Sequence, residues 1–288
     1  MNSAKQRALP VSLLLPAFLL VIGIMLYPLF YAFQLSFLDV KLYDMANRTW
    51  IGLRNYVEVL TDPLFIKVMQ NSAIFVGLSI LGQVGFGFAL ASVLNRPGMR
   101  GRRVFRAIYI LPWVASPLVM SYAWRFFYNP RIGLLNYVLG LVGISAPDWL
   151  GDLGVVMISM VIANIWRGTP FSFVLQTAGI QSIPYEVYDA AKVDGASGPQ
   201  TLVYITLPLM KYFIIMNLIM VTMYTFNSFE AIMIMTGGGP LYATEVLSLH
   251  MYHTAFDYGL LGQGSALAVI LFLVNLAFTV FYVRKFRI

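Results

Sequence analysis

Two charged side chains stand inside long apolar stretches of the chain. Arg167 lies within Asn164-Ile-Trp-Arg-Gly-Thr-Pro-Phe171, and Glu230 closes Phe226-Asn-Ser-Phe-Glu230. An ionisable group at membrane depth is costly, so the default reading of each is functional. Gly168 and Pro170 predict a break in the first segment, which suits the wall of a cavity. In the second, Phe226, Asn227 and Glu230 fall at i, i+1 and i+4, on one helical face. Such residues offer recognition rather than bond making: Arg, Glu and Asn hydrogen-bond polar groups, while aromatic rings pack on C–H surfaces. The structural alternative is that Arg167 and Glu230 pair with each other to hold two helices together. Arg125, nearer the end of its stretch, can snorkel to the interface.

Residue types exclude other chemistries. Zero cysteines remove disulfides, thiolate zinc sites, iron–sulfur clusters and a cysteine nucleophile. His250 and His253 are the only histidines, and a metal site needs more ligands than two. No lysine follows a glycine, so there is no Walker A phosphate loop, and Gly237-Gly-Gly239 reads as a tight turn. No paired aspartates or Ser/His constellation suit intramembrane proteolysis.

The elements that position these residues follow from composition. The 288-residue chain is 59% hydrophobic and only 11% charged, with a mean hydropathy of +0.77. An ordinary soluble domain has about twice that charged fraction, so a soluble enzyme is excluded. A helix needs about 20 apolar residues to cross a bilayer, and six stretches qualify: 11–37, 72–94, 104–128, 154–177, 209–235 and 264–283. The expected fold is an all-α integral membrane protein with six transmembrane helices. The first stretch, after Lys5 and Arg7, is too long for a signal peptide and reads as a retained span.

Basic residues orient the chain. Arg96, Arg100, Arg102, Arg103 and Arg106 follow span two, Arg284, Lys285 and Arg287 end the chain, and segment 236–263 has no Lys or Arg. Both termini are therefore expected in the cytoplasm, with segment 38–71 folding outside. This placement also accounts for the net charge of +7, and no nucleic-acid partner is expected.

One inside loop, 178–208, breaks the charge rule: Lys192 stands against Glu186, Asp189 and Asp194. Ser182 can cap a helix, Pro184 suits its first turn, and Glu186 favours the positive end of its dipole. Val187, Ala190 and Ala191 share a face, and Gly195 can end the helix with a positive φ. A second short helix would run to Pro208. The prediction is a compact cytoplasmic helix–turn–helix.

Asp189-Ala-Ala-x-x-Asp-Gly-Ala196, with Ile205-x-Leu-Pro208 beyond it, resembles the EAA motif of binding-protein-dependent ABC import permeases. Asp189 departs from that family's usual Glu by one methylene. Gly52-Leu-Arg-Asn-Tyr56, Leu111-Pro-Trp113, Trp124, Gly133, Asn136, Phe226-Asn-Ser-Phe-Glu230 and Thr236-Gly-Gly-Gly-Pro240 extend the likeness over roughly residues 11–284. They are most similar to the sugar-type group (carbohydrate uptake transporter-1). The resemblance implies one transmembrane domain over 11–284, with outer loop 38–71 and coupling loop 181–208. Its coupling residues would be Asp189, Ala190, Ala191, Asp194, Gly195 and Ala196, docking on an ATPase. Its cavity positions would be Trp113, Asn164, Arg167, Gly168, Phe171, Phe226, Asn227 and Glu230.

The implied function is a permease subunit forming half of an alternating-access pathway for a sugar, polyol or glycerol phosphate. The chain itself would be no enzyme and bind no cofactor, ATP and Mg belonging to the partner. Implied partners are a second, non-identical permease, two ATPase subunits, an extracytoplasmic solute-binding protein and the lipid of a prokaryotic cytoplasmic (inner) membrane. The alternative, an ion-gradient-driven secondary transporter, calls for internal repeats and midplane carboxylates. No convincing repeat is visible, and Glu230 is the one acidic residue within a span.

Overall fold

The computed structural model describes residues 16, 18–96 and 98–286. Lys5, Arg7 and Arg287, used above for orientation, and most of the first residues of span one lie outside them. In chain order the elements are α1 (Phe18–Leu35), which contains a π-helical turn at Ile22–Leu26, strands β1 (Leu38–Lys41) and β2 (Asp44–Trp50), α2 (Arg54–Thr61) and α3 (Pro63–Leu94). Next come α4 (Arg102–Val114), α5 (Pro117–Phe127), α6 (Leu134–Leu141), α7 (Val156–Gln181), α8 (Tyr185–Val193) and α9 (Gly198–Leu209). The chain ends with α10 (Lys211–Asn227), α11 (Glu230–Met235), α12 (Leu247–Tyr252) and α13 (Leu261–Phe286).

Among the described residues, four helices are long and apolar enough to cross a membrane: α1, α3, α7 and α13. Two bent pairs meet the same test, α4 with α5 at 98° and α9 with α10 at 70°. Stretches 11–37, 72–94, 154–177 and 264–283 fall on the four continuous helices, stretch 104–128 on α4 and α5, and stretch 209–235 on α10 and α11. Four boundaries differ from expectation. Helix α3 begins at Pro63, not 72, because Asp62 Oδ1 accepts the Leu64 amide at 2.8 Å and caps it. The polar residues that disguised this first part of α3 serve another segment. Lys67 Nζ donates to the Leu241 carbonyl at 2.7 Å, and Asn71 Nδ2 to those of Tyr242 and Glu245 at 2.8 and 3.0 Å.

Span three is broken at Ala115 and Ser116, whereas Pro112 stays inside α4. Ser116 precedes Pro117 and takes an extended ψ of 133°, the conformation a following proline enforces. Span four does not break at all, since α7 runs through Gly168 and Pro170. Span five does: α10 stops at Asn227, Ser228 is extended, and Glu230 opens the separate helix α11. Phe226, Asn227 and Glu230 thus do not share one helical face.

The chain divides into two compact units, residues 1–65 with 251–272, and 66–250 with 273–288. In the first, β1 and β2 form an antiparallel hairpin with Leu38 opposite Trp50, an addition to the all-α expectation. Buried Asn55 holds this unit together, its Nδ2 donating to the carbonyls of Ser36 and Leu38, both at 2.9 Å. Tyr56 Oη and Ser36 Oγ lie 2.6 Å apart, so the Gly-Leu-Arg-Asn-Tyr segment is a clamp on the end of α1.

In the second unit α3 and α7 approach closely through small residues. A β-carbon on Gly87 would stand 2.6 Å from Ser172 Cβ, and one on Gly82 or Gly168 would overlap Ile165 or the Gln83 amide. Close backbone approach of this kind replaces the missing hydrophobic drive between helices in lipid. The Thr236–Pro240 segment is the expected tight turn: Gly237 and Gly238 have φ of +61° and +86°, and Thr244 Oγ1 donates to the Gly239 carbonyl at 2.8 Å. A side chain at Gly238 would collide with the carboxylate of Glu245. Buried Glu245 faces His250, Oε1 to Nδ1 at 3.4 Å, while His253 Nε2 lies 3.7 Å from Asp257.

Candidate functional sites: a charged aromatic face and a helical hairpin

Trp113, Arg167 and Phe171 come together where α4 meets α7. The Trp113 and Phe171 ring centroids are 5.7 Å apart, and Phe171 meets Tyr224 of α10 nearly edge-on at the same distance. Arg167 lies one turn before Phe171 on α7 and is half-buried. Two helix breaks, Ala115–Ser116 and Ser228–Phe229, adjoin this face. Non-helical backbone at membrane depth is tolerated where it lines a cavity or is packed in protein.

Glu230 and Asn227 are exposed, and Asn227 Nδ2 is turned back to the Met223 carbonyl at 2.7 Å. Among the described residues Arg167 and Glu230 form no ion pair. The paired-strut alternative therefore lacks its contact. Arg125 Nη1 donates to the Ile234 carbonyl at 3.1 Å, tying α5 to the last turn of α11.

Three expected cavity residues are placed elsewhere. Asn164 donates to Ser79 Oγ at 2.8 Å, and its carbonyl accepts from Gln83 Nε2 at 3.2 Å. Gly168 presses on the same Gln83. Both residues serve the α3–α7 contact. Phe226 is buried and packs on Phe278 of α13 at 5.4 Å. Tyr224, three residues before Asn227, was missed from sequence, although i, i+3 spacing along α10 could have found it. Trp166 packs edge-on to Trp124 of α5 at 5.7 Å.

The second site is the hairpin α8–α9. Pro184 precedes α8, Glu186 lies in its first turn and Lys192 in its last. Ser182 does not cap α8. Its Oγ donates to the Gly179 carbonyl at 2.8 Å and finishes α7 instead. Gly195 takes a φ of +74°, and the amides of Gly195 and Ala196 return to the Lys192 and Ala191 carbonyls at 3.1 and 2.9 Å. That pair of bonds is a Schellman motif, and it closes α8 within one residue. Ser197 then opens α9 through a capping box with Gln200.

Ala191 is buried, Val187 half-buried, and Ala190, placed on the packed face from sequence, is exposed. The open face carries Glu186, Asp189, Ala190 and Val193, at i, i+3, i+4 and i+7. Val193 is 87% exposed. Asp189 Oδ1 accepts from Lys192 Nζ at 2.9 Å, and the ammonium stands 5.1 Å from the Tyr185 ring centroid. The Asp189 hydrogen bond raises the Lys192 pKa, so the lysine stays charged at neutral pH. Asp194 and Gly195 are exposed at the tip and Ala196 is half-buried.

Comparison with known proteins identifies the family. Residues 83–285 match the family described as "Binding-protein-dependent transport system inner membrane component". The chain is 35% identical over 287 residues to the trehalose/maltose transport system permease protein MalF of Thermococcus litoralis, covering 98% of this chain and 95% of that one. It is 33% identical over 280 residues to the sn-glycerol-3-phosphate transport system permease protein UgpA of Brucella abortus, covering 97% and 94%. In fold it superimposes with a TM-score of 0.84 on a chain of a bacterial ABC transporter that imports the acidic polysaccharide alginate, at 23% identity and 98% and 96% coverage. Six apolar stretches, a Schellman-closed hairpin with an open acidic face and a family match over most of the length converge on one conclusion: the chain belongs to the inner-membrane permeases of binding-protein-dependent ABC transport systems.

Proposed function

We propose that this permease forms half of an alternating-access pathway for a sugar or a related polyol or glycerol phosphate. The observation that carries the reading is the Trp113–Phe171–Tyr224 row beside Arg167. Aromatic faces pack on the C–H surface of a polyol, and a guanidinium donates to hydroxyl or phosphate oxygens. The names of the relatives, trehalose/maltose and glycerol-phosphate permeases, support that class.

A second, non-identical permease would face this row and complete the cavity, within one transmembrane domain spanning 11–284. Two ATPase subunits would supply ATP and Mg chemistry, and a solute-binding protein would deliver the solute from outside. The α8–α9 hairpin, at the cytoplasmic side with both termini, would dock on an ATPase through Asp189, Ala190, Val193, Asp194 and Gly195. Closure of the ATPases would move the paired hairpins and open the cavity outward, and hydrolysis would reset it.

Transport into proteoliposomes by the purified complex tests the cavity. Arg167→Ala and Tyr224→Ala should each lower uptake about tenfold, a loss of ~1.4 kcal/mol of binding, with assembly intact and ATPase stimulation by the binding protein partly retained. Restoration of uptake by Arg167→Met combined with Glu230→Leu would make the charges structural and remove the site.

A further inference from the structure

Ser172, Gln176 and Gly179 follow one another at i, i+4 and i+7 on one face of α7, and that face is turned to α10. Ser172 Oγ donates to Asn217 Oδ1 at 3.1 Å. A β-carbon on Gly179 would stand 2.9 Å from both Met210 Cε and Phe213 Cγ. Gln176 is therefore bracketed, in the space between Phe213 and Asn217 on the opposing helix. It is 1% exposed, and Asn217 is fully buried. Neither amide atom of Gln176 has a protein partner, and nor does Asn217 Nδ2.

Orphaned amide groups inside a membrane helix pair are rare because neither lipid nor apolar side chains can satisfy them. Reversing the Asn217 amide would let its nitrogen donate to Ser172 Oγ but would orphan the oxygen, so the deficit does not depend on that assignment. Two donors and one acceptor are thus left without protein partners at the α7–α10 contact, and a buried water makes about three hydrogen bonds. The geometry points to a buried hydration site between α7 and α10, in which Gln176 and Asn217 hold ordered water. The site is independent of the transported solute.

Its position gives it a use. Gln176 lies five residues before the end of α7, and Asn217 lies in the first half of α10. These are the helices joined by the α8–α9 hairpin. A water-bridged contact can be remade after a small shift of one helix along the other, whereas close-packed apolar side chains lock into a single register.

Hydroxyl-radical footprinting of the intact complex tests this, because bound water activated in place oxidises the side chains beside it. Met210 has no exposed surface, yet its side chain lies against Gly179. It should be oxidised several-fold more than the equally buried Met160. Gln176→Leu should bring Met210 down to the Met160 level. Equal labelling of Met210 and Met160, or labelling unchanged by the substitution, overturns the site. If the variant fails to assemble, a wild-type cryo-EM map that shows ordered water elsewhere decides the matter. Density bridging Gln176 and Asn217 supports the proposal, and a direct amide–amide pair without it overturns the proposal.

Discussion

Gly168 on α7 lies against the side-chain amide of Gln83 on α3, so closely that a β-carbon there would overlap it. The same glutamine donates to the Asn164 carbonyl one turn earlier. Gly168→Ala should destabilise the permease by about 1–3 kcal/mol through overpacking, read as a lower melting temperature of the purified complex. Pairing it with Gln83→Ala should recover part of the loss. Additive losses in the double variant would place the clash elsewhere.

The hairpin tip responds to backbone rather than to charge. Gly195 holds a φ of +74° with open space around its Cα, so Gly195→Ala costs conformational strain alone, ~1–2 kcal/mol. Gly195→Pro also removes the amide that bonds Lys192. Membrane insertion should be normal in both, while the proline variant fails to stimulate or retain an ATPase. Co-purification and ATPase assays check this, and full transport by the proline variant at normal subunit levels would remove the coupling role.

Asn55→Ala strips two hydrogen bonds from the turn after α1 and leaves the Ser36 and Leu38 carbonyls short of a donor. A cost of ~1–3 kcal/mol is expected. Hydrogen exchange should accelerate across residues 36–62 and stay unchanged in the α8–α9 hairpin. Uniform acceleration would mean that Asn55 supports the whole chain.

Glu245→Ala should be more damaging than any change in the flanking glycines, because it leaves His250 buried opposite an apolar gap. A loss of about 1–3 kcal/mol follows from leaving a buried polar group without its partner. Glu245→Gln, which keeps shape and one acceptor, should lose less. The two variants melting at the same temperature would contradict this.

The sequence made the apolar stretches, the hairpin and its glycine stop readable because hydrophobic runs and capping chemistry are local. Long-range partners were not readable. Lys67 and Asn71 looked like loop residues until their acceptors, 174 and 171 to 174 residues away, were known. Gly168 and Pro170 looked like a break, but the glycine serves the approach of α3 and the helix runs on past the proline. The true breaks fall beside Pro117 and at Ser228. Phe226 and Asn164 were assigned to the cavity by motif position, and their packing on Phe278 and Ser79 follows only from the fold. Tyr224 belongs with the aromatic row for the same reason in reverse.

The two helices leaving the hairpin differ in a mechanical sense. Helix α7 is an unbroken rod of 26 residues, about 39 Å at 1.5 Å per residue. Helix α10 has 17 residues, with a joint at each end, Met210 and Ser228. A push at the hairpin would travel the whole rod on one side and be taken up at the joints on the other. The resulting shear would fall between Arg167, carried on the rod, and Glu230, just past the second joint. The distance between those two charges is thus a natural gauge of the transport stroke, open to measurement by paired spin labels on residues 167 and 230.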